Sequence, residues 1–333
     1  MLQVAMLSKW HVHARDYARE ALAHEEIHVA AVWDEDAQRG EQWAQELQAP
    51  FFEHLDDLLC RTDIDAVIVD TPTAMHPQVI RASLEQGKHV FSEKVLALST
   101  ADCDTLLDLA ERRNLQLMVS LPRLSHDYFV TVEHLLRDGA IGELTFLRCR
   151  LAHDGALANG ESSSGWLPPY FFDKVSCGGG ALMDLGAHPI YLTNRLAGPA
   201  RRLCASFTYL TGREVEDHAA VVVEYASGVS GVVEAGFISR GNPFTLELYG
   251  TLGAVLVEDS QVRIQSRALD QEGPLKWHTV PLFDSLNTPL EQWVDAIMNR
   301  RAPHVRRQDI RDLTRFNEAA LLSAGDGCMT ALS

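Results

Sequence analysis

The first third of the chain alternates short apolar segments with longer amphipathic ones, and this alternation limits the folds that the chain can adopt. Apolar runs predict buried strands at residues 3–7, 29–32, 65–69, 89–91 and 116–120. Between them, apolar residues at helical spacing predict helices over 13–24, 36–47, 76–86 and 100–113. Short, continuously apolar strands that alternate with helices form a parallel sheet with both faces covered. The class is therefore α/β, and residues 1–121 are predicted to form a doubly wound, Rossmann-type domain.

The pattern changes after residue 121 to strands separated by turns. A helix is predicted at 125–138, a strand at 143–151, a Gly/Ser/Pro-rich loop at 155–169 and one helix over 178–196. Further strands are predicted at 202–208, 218–225, 229–238, 245–250, 254–257 and 262–265, with closing helices at 289–299 and 307–325. Successive strands joined by turns form antiparallel sheets. Residues 122–333 are therefore predicted to be an α+β domain with a large, mostly antiparallel open sheet.

The charge of the chain excludes two classes of partner. A formal net charge of -17 would repel both nucleic acid and an acidic membrane surface. No apolar run approaches the roughly 20 residues that span a bilayer, and residues 1–7 lack the basic flank of a signal peptide. We expect a cytoplasmic protein whose partner is a small molecule.

Asp34 is the first candidate ligand-binding residue. It follows the second predicted strand, and ligands of a doubly wound sheet bind beyond the carboxyl ends of the strands. A carboxylate there can accept both hydroxyls of an adenosine ribose and would repel a 2′-phosphate, and the neighbouring Glu35 strengthens this bias. The sequence therefore favours NAD over NADP as the cofactor.

The turn after the first strand lacks the glycines of a phosphate-binding loop. Where Gly-x-Gly-x-x-Gly is expected, the glycine positions hold Ser8, Trp10 and His13. A left-handed conformation at a non-glycine residue costs roughly 1–2 kcal/mol, so three such residues would remove much of a micromolar affinity, which is worth about 8 kcal/mol. The helix that follows still offers free N–H groups to an anion. We therefore keep Ser8, Trp10, His11 and Val12 as candidate cofactor contacts in a loop of another shape.

Metal ligands are sparse in the sequence. His11 and His13 alternate on an extended stretch, but no third histidine lies near them in sequence, and two ligands alone do not hold zinc. The six cysteines include no Cys-x-x-Cys pair. No metal site is predicted.

Three motifs together resemble the glucose–fructose oxidoreductase and inositol 2-dehydrogenase (Gfo/Idh/MocA) family over nearly the whole chain. Residues 71–76 read Thr-Pro-Thr-Ala-Met-His, which is similar to the family's Thr-Pro-x-x-x-His. Residues 87–94 read Gly-Lys-His-Val-Phe-Ser-Glu-Lys, where the family continues with a proline and this chain has Val95. Residues 178–188 read Gly-Gly-Gly-Ala-Leu-Met-Asp-Leu-Gly-Ala-His, a near-complete copy of Gly-Gly-Gly-x-x-x-Asp-x-Gly-x-His.

The resemblance implies a nicotinamide-dependent dehydrogenase and assigns roles to the motif residues. His188 would be the general base that takes the proton of a substrate hydroxyl, Lys94 would hydrogen-bond the same oxygen, and Asp184 would orient the base or the substrate. Such a base contributes about 10² to 10⁴ in rate. Cofactor contacts are implied for the remaining motif positions, Thr71, Pro72, His76, Glu93 and Lys94.

Four further residues are candidate substrate contacts. Tyr191 stands where the family often has an aspartate, and Arg123 stands where it often has a basic or aromatic contact. Trp166 and Lys174 precede the glycine run and can wall a pocket, although aromatic side chains there can equally serve packing.

The main hypothesis is an NAD-dependent oxidoreductase that moves hydride between nicotinamide and a sugar, polyol or related hydroxylated molecule. One alternative is a cofactor-poor family member that acts as a ligand-binding or regulatory module. Another is a metal-assisted enzyme that uses His11, His13 and His188. The resemblance also implies a homodimer or homotetramer.

Overall fold

The chain divides into two units, each built on its own sheet. The computed structural model describes residues 1–160, 162, 164–241 and 243–332, so Glu161 and Ser163 of the predicted 155–169 loop lie outside the described residues. The first unit comprises residues 1–120 and 287–307, and the second comprises 121–286 and the residues from 308 onward. The assignment of functional domains to 1–121 and 122–333 stays a prediction.

The first unit contains a six-stranded parallel sheet, as the alternation predicts. Its strands are β1 (Leu2–Leu7), β2 (Ile27–Trp33), β3 (Phe51–Phe52), β4 (Ala66–Val69), β5 (His89–Ser92) and β6 (Leu117–Val119). They lie in the order β3-β2-β1-β4-β5-β6, and every neighbouring pair is parallel. The sequence predicted five of these strands and missed β3, because two residues are too few to show a period.

Five helices join these strands. They are α1 (Ala14–Ala23), α2 (Ala37–Leu47), α3 (Leu55–Leu59), α4 (His76–Glu85) and α5 (Thr100–Arg112). The side chain of Asp36 caps α2 by accepting the N–H of Arg39. Gly40 in α2 allows a close approach, because a Cβ there would lie 2.7 Å from Cβ of Asp34. The end of β2 and the first turns of α2 are thereby held together around Asp34.

The second unit contains a nine-stranded, mostly antiparallel sheet, which confirms the predicted fold class. The strands of this sheet, whose ranges follow, lie in the order β14-β13-β12-β11-β7-β10-β9-β8-β15. Within the described residues of this sheet, β7 and β10 form the only parallel pair. The remaining elements of the chain are α6 (Asp127–Arg137), β7 (Leu144–Ala152), α7 (Lys174–Cys177), α8 (Ala181–Asp184), α9 (Ala187–Ala197), β8 (Ala200–Thr208), β9 (His218–Tyr225), β10 (Ser230–Gly236), β11 (Phe244–Gly250), β12 (Gly253–Glu258), β13 (Gln261–Ser266), β14 (His278–Thr279), α10 (Pro289–Met298), α11 (Arg307–Asp326) and β15 (Thr330–Ala331).

The single helix predicted over 178–196 is wrong, because the structure has two helices there, α8 and α9. The N–H of Gly186 bonds to the carbonyl of Ala181, five residues earlier, which interrupts the i to i−4 pattern. A Cβ on Gly186 would lie 2.4 Å from the carbonyl oxygen of Leu182, so glycine permits this tight step. Asp184 therefore ends α8 and His188 is the second residue of α9. Their spacing of four does not place them on one face of a continuous helix.

The helix α10 belongs to the first unit. The indole of Trp293 is fully buried, lies 5.8 Å from the ring of Phe91 on β5 and donates from Nε1 to the carbonyl of Gln116 at 3.4 Å. A late segment of the chain thus completes the core of the parallel sheet. None of the helices in the described part of the chain has the length and apolarity needed to cross a membrane.

Candidate active site

Buried polar residues follow five of the six strands of the parallel sheet, at the edge where such folds bind ligands. Ser8, Asp34, Asp70, Glu93 and Ser120 come directly after β1, β2, β4, β5 and β6. All five are at most 2% exposed. The first unit therefore concentrates buried polar groups at one edge of its sheet.

The Asp34 carboxylate is fully engaged by its own chain. Its Oδ2 accepts the backbone N–H of Lys9 at 2.8 Å and Nε of Arg39 at 2.9 Å. Its Oδ1 accepts the N–H of Asp36 at 2.8 Å and a terminal nitrogen of Arg39 at 2.6 Å. Arg39 also reaches Glu35 at 2.5 Å. A ribose that uses the acceptors of Asp34 has to displace or share this Arg39 fork, which the sequence did not indicate.

The loop from Ser8 to His13 forms a turn with a single strained residue. Ser8 adopts a φ of 75°, whereas Trp10 and His13, at the other two glycine positions, are not among the positive-φ residues described. The Ser8 hydroxyl accepts the N–H of Trp10 at 3.0 Å. The left-handed cost of roughly 1–2 kcal/mol thus arises once and not three times. The indole of Trp10 is buried and Val12 is exposed.

Two histidines of this loop meet Glu93, which lies 80 residues away in sequence. Nδ1 of His13 is 3.3 Å and Nδ1 of His11 is 3.9 Å from Oε2 of Glu93, and the Tyr17 hydroxyl donates to the same oxygen. Burial raises the pKa of the Glu93 carboxyl, but the charges of His11 and His13 outweigh burial and hold it well below its usual range. Burial and the Glu93 charge raise the pKa of Tyr17.

Asp70 and Thr71 carry orphaned polar atoms beside this cluster. Both carboxyl oxygens of Asp70 and the hydroxyl of Thr71 are buried with no hydrogen-bond partner among the described residues. The carbonyl of Asp70 accepts the N–H of His11 at 3.1 Å. Burial and the nearby charge of Glu93 raise the pKa of the Asp70 carboxyl well above its usual range. Such groups call for a partner, since an unpaired buried polar group costs about 1–3 kcal/mol.

Lys94 is buried beside Glu93, with Nζ 3.8 Å from Oε1. The peptide bond between Lys94 and Val95 is cis. The imidazole of His76 lies between this turn and the end of β4, with Nδ1 2.8 Å from the carbonyl of Val95 and Nε2 3.1 Å from that of Thr71. Burial lowers the pKa of His76. His76 therefore braces the turn that carries Lys94, while Pro72, between Thr71 and α4, is buried.

The first unit fits the predicted dinucleotide by its chemistry. The orphaned Thr71 hydroxyl lies at the ligand-binding edge, Asp34 ends β2, and the loop after β1 turns without glycine at the cost of one strained residue.

In the second unit, His188 is linked to two predicted substrate contacts. Nδ1 of His188 is 2.8 Å from the hydroxyl of Tyr191, and that hydroxyl accepts the N–H of Arg123 at 3.1 Å. The guanidinium of Arg123 donates to Tyr128 at 3.0 Å and lies 4.6 Å from the centre of the Phe244 ring. Burial raises the pKa of Tyr191 well above its usual range, so the phenol stays neutral. Tyr191, which is held by the N–H of Arg123, therefore orients the imidazole of His188 through Nδ1.

Asp184 acts electrostatically on His153, a residue that the sequence analysis missed. Burial lowers the pKa of His153, and the charge of Asp184 opposes this shift. The His153 ring stacks on Phe237 at 5.3 Å and lies 4.7 Å from the ring of Trp166, whose Nε1 donates to Asp154 at 3.0 Å. Trp166 and Asp184 are therefore both linked to His153, the first by ring contact and the second by its charge.

Lys174 is exposed at the start of the four-residue helix α7.

The sequence analysis missed Arg39, Asp70, Tyr17, Tyr128 and His153 as site residues. Asp70 had a usable signal, because it is an acid at the carboxyl end of a predicted strand. The others reach the site through tertiary contacts that no local motif reports.

Known family models match both parts of the chain. Residues 9–121 match a model described as an oxidoreductase family with an NAD-binding Rossmann fold, and residues 129–256 match the Gfo/Idh/MocA C-terminal domain.

Curated relatives include sugar-modifying oxidoreductases. A dTDP-3,4-didehydro-2,6-dideoxy-alpha-D-glucose 3-reductase of Saccharopolyspora spinosa is 29% identical over 306 residues, which are 90% of this chain and 84% of the relative. The levoglucosan dehydrogenase of Pseudarthrobacter phenanthrenivorans is 26% identical over 250 residues, which are 66% of this chain and 63% of the relative.

Solved structures share the fold over the whole chain. A levoglucosan dehydrogenase in complex with NADH and L-sorbose superposes with a TM-score of 0.86 at 18% identity, covering 100% of this chain and 99% of that one. GenD2 from gentamicin A biosynthesis, in complex with NAD, superposes with a TM-score of 0.83 at 24% identity, covering 100% and 96%.

Proposed function

Because the chain belongs to the Gfo/Idh/MocA family of oxidoreductases, whose Rossmann domain binds NAD, we propose that it is a dehydrogenase of a sugar or a related polyol. The observation that carries this proposal is the retention of Lys94 and His188 in family motifs, with a built environment around each of them. The printed activities of the relatives, a dTDP-sugar reductase and a levoglucosan dehydrogenase, support a sugar as the substrate class.

We assign binding of the dinucleotide cofactor to the first unit. The Asp34 carboxylate would hold the adenosine ribose once the Arg39 fork opens. The phosphates would be held by the loop of Ser8, Trp10, His11 and Val12. The nicotinamide side would be held by the motif residues Thr71, Pro72, His76, Glu93 and Lys94. NAD supplies a hydride acceptor at C4 of its nicotinamide ring. NADP is disfavoured, since Asp34 and Glu35 repel a 2′-phosphate.

We assign the removal of the substrate's hydroxyl proton to the second unit. For His188 to act as a base through Nε2, its Nδ1 has to carry the hydrogen, and the Tyr191 hydroxyl is placed to accept it at 2.8 Å. That hydroxyl has two acceptor lone pairs, of which one is used by the N–H of Arg123. Tyr191 can therefore serve both donors, and it favours the tautomer in which Nε2 of His188 carries the lone pair that takes the hydroxyl proton.

The remaining residues complete the reaction. His188 takes the hydroxyl proton of the substrate, and NAD, when bound, would accept the carbinol hydride, so that a ketone or aldehyde would remain. Lys94 donates a hydrogen bond to the oxygen as negative charge develops on it, and Asp184 orients the substrate or the base. Trp166 walls the sugar through its contact with His153. Lys174 is assigned no more than a surface contact, because it is exposed. The cytoplasmic location and the homodimer or homotetramer stay predictions.

A substrate panel tests the proposal. Sugars and polyols are first screened for those that raise the thermal unfolding temperature, and each of these is incubated with NAD while NADH absorbance is followed. At least one stabilising sugar is expected to reduce NAD. Sugars that stabilise the protein but never reduce NAD would contradict a dehydrogenase and favour a ligand-binding module. Replacement of Lys94 by Ala provides the inactive reference.

A further inference from the structure

We propose that His11, His13 and Glu93 form a binding site for a divalent transition-metal ion of the zinc type. One ligand atom from each of the three residues lies within 4.8 Å of the others. The sequence offered only the two histidines here, and two ligands do not hold such an ion. The fold supplies the third ligand from the end of β5.

The ligand types select the class of ion. Two imidazoles and one carboxylate are the protein ligands of many zinc sites that keep a fourth position open, and the same set also binds ferrous iron. Magnesium and calcium prefer sites made of oxygen atoms. Nδ1 of His11 accepts the backbone N–H of His13 at 3.2 Å, so this nitrogen carries a lone pair, which has to exchange that N–H for the ion if it is the ligand atom.

The surroundings are built as a supporting shell. Glu93 is 1% exposed, and the Tyr17 hydroxyl fixes its carboxylate by donating to Oε2. Metal-binding residues are commonly oriented by such outer hydrogen bonds. The two imidazoles pack edge to face with centroids 4.7 Å apart, so neither ring has to travel far to share an ion with Glu93.

The buried carboxyl group of Asp70 is a second observation that favours a cation at this loop. Asp70 is completely buried, its carboxyl oxygens have no hydrogen-bond partner among the described residues, and its carbonyl holds the N–H of His11. Two buried carboxyl groups therefore lie around this loop, and Lys94, 3.8 Å from Glu93, is the nearest described fixed cation. A divalent ion held by Glu93 would add positive charge beside the Asp70 carboxyl and favour its ionised form, because buried charges in proteins are paired or coordinate metals.

Metal binding can be measured without cofactor or substrate, so its failure is separate from failure of the dehydrogenase. The full-length protein is stripped with a chelator, dialysed against micromolar Zn²⁺, and its metal content is determined. One equivalent of zinc is expected. Loss of one ligand in His13→Ala or Glu93→Gln should weaken zinc binding by about 10- to 100-fold or more. His54→Ala, which removes an exposed histidine of the same unit that makes no capping hydrogen bond, should bind zinc like the wild type.

Cobalt serves as a spectroscopic probe of the same site. Co²⁺ added to the stripped protein should give a visible absorption band that Zn²⁺ displaces and that His13→Ala lacks. The His13 side chain is 41% exposed, so its replacement should leave the fold intact even if Glu93→Gln does not fold. Circular dichroism checks each variant. No retained zinc in the wild type, or equal retention in wild type and His13→Ala, would overturn the proposal.

Discussion

The hydroxyl of Tyr191 lies 2.8 Å from Nδ1 of His188, at the position where the resemblance to the family implies an aspartate. A neutral phenol therefore holds the imidazole here, and its high pKa keeps it neutral throughout the working range of an enzyme. The proposed base is oriented by a hydrogen bond without the charge of a carboxylate, and this arrangement makes Tyr191 a positioning residue.

Replacing Tyr191 by Phe should lower kcat/KM by about one decade, less than the loss of a general base costs. The acidic limb of the pH profile should move to lower pH, because the imidazolium loses the acceptor for its Nδ1 proton. A merely structural role would lower activity without moving the profile. Tyr209→Phe changes an exposed tyrosine of the same unit and should leave both quantities unchanged.

Replacing His188 by Asn should lower kcat by about two to four decades while leaving the affinity for NADH unchanged. Asparagine keeps a hydrogen-bonding side chain but cannot take the proton. His278→Asn is the matched control, because His278 is an exposed histidine of the same unit. Steady-state kinetics with the substrate found in the panel gives the answer, and an unchanged kcat would assign the base to another residue.

The Arg39 fork predicts opposite effects for two neighbouring substitutions. Asp34→Asn should weaken NADH binding by about 10- to 100-fold, the equivalent of 1.5–3 kcal/mol for a hydrogen bond to a charged group. Arg39→Ala should leave NADH binding unchanged or improve it, because it frees the acceptors of Asp34. Calorimetric titration of both variants measures this, and a large loss of NADH affinity in Arg39→Ala would show that the fork belongs to the cofactor site.

Burial of His76 predicts a dependence of stability on pH. Its folded-state pKa lies below the unfolded value of about 6.5, so the folded state resists protonation. This group therefore contributes stability above that pH, and the contribution is lost as pH falls through the folded pKa. His76→Gln should cost about 1–3 kcal/mol at pH 7.5 and give a shallower loss of stability on acidification. Urea unfolding between pH 5 and pH 8 compares the two proteins, and equal slopes would contradict the argument.

The fold could be predicted because the strands of the first unit are continuously apolar and alternate with helices, a local property of the sequence. The two-residue strand at Phe51 was missed because it is too short to carry a period. The break before Gly186 was missed because it depends on how closely that backbone approaches Leu182.

The candidate site likewise contains residues that the sequence predicts and contacts that only the folded structure reveals. Lys94, Asp184 and His188 stand in motifs that a single sequence displays. The contact of Glu93 with His11 and His13 spans about 80 residues of chain and arises only when β1 and β5 lie in one sheet. The Arg39 fork depends on the close packing of α2 at Gly40, and the influence of Asp184 on His153 depends on the fold of the second unit.

We expect this chain to bind a nicotinamide dinucleotide although the loop after β1 has no glycine. Titration of the purified protein with NADH, followed by calorimetry and by the quenching of tryptophan fluorescence, tests it most directly. We predict saturable binding of one NADH per chain with a Kd in the micromolar range, about 8 kcal/mol, and weaker binding of NADPH. No binding of either dinucleotide at millimolar concentration would contradict the account.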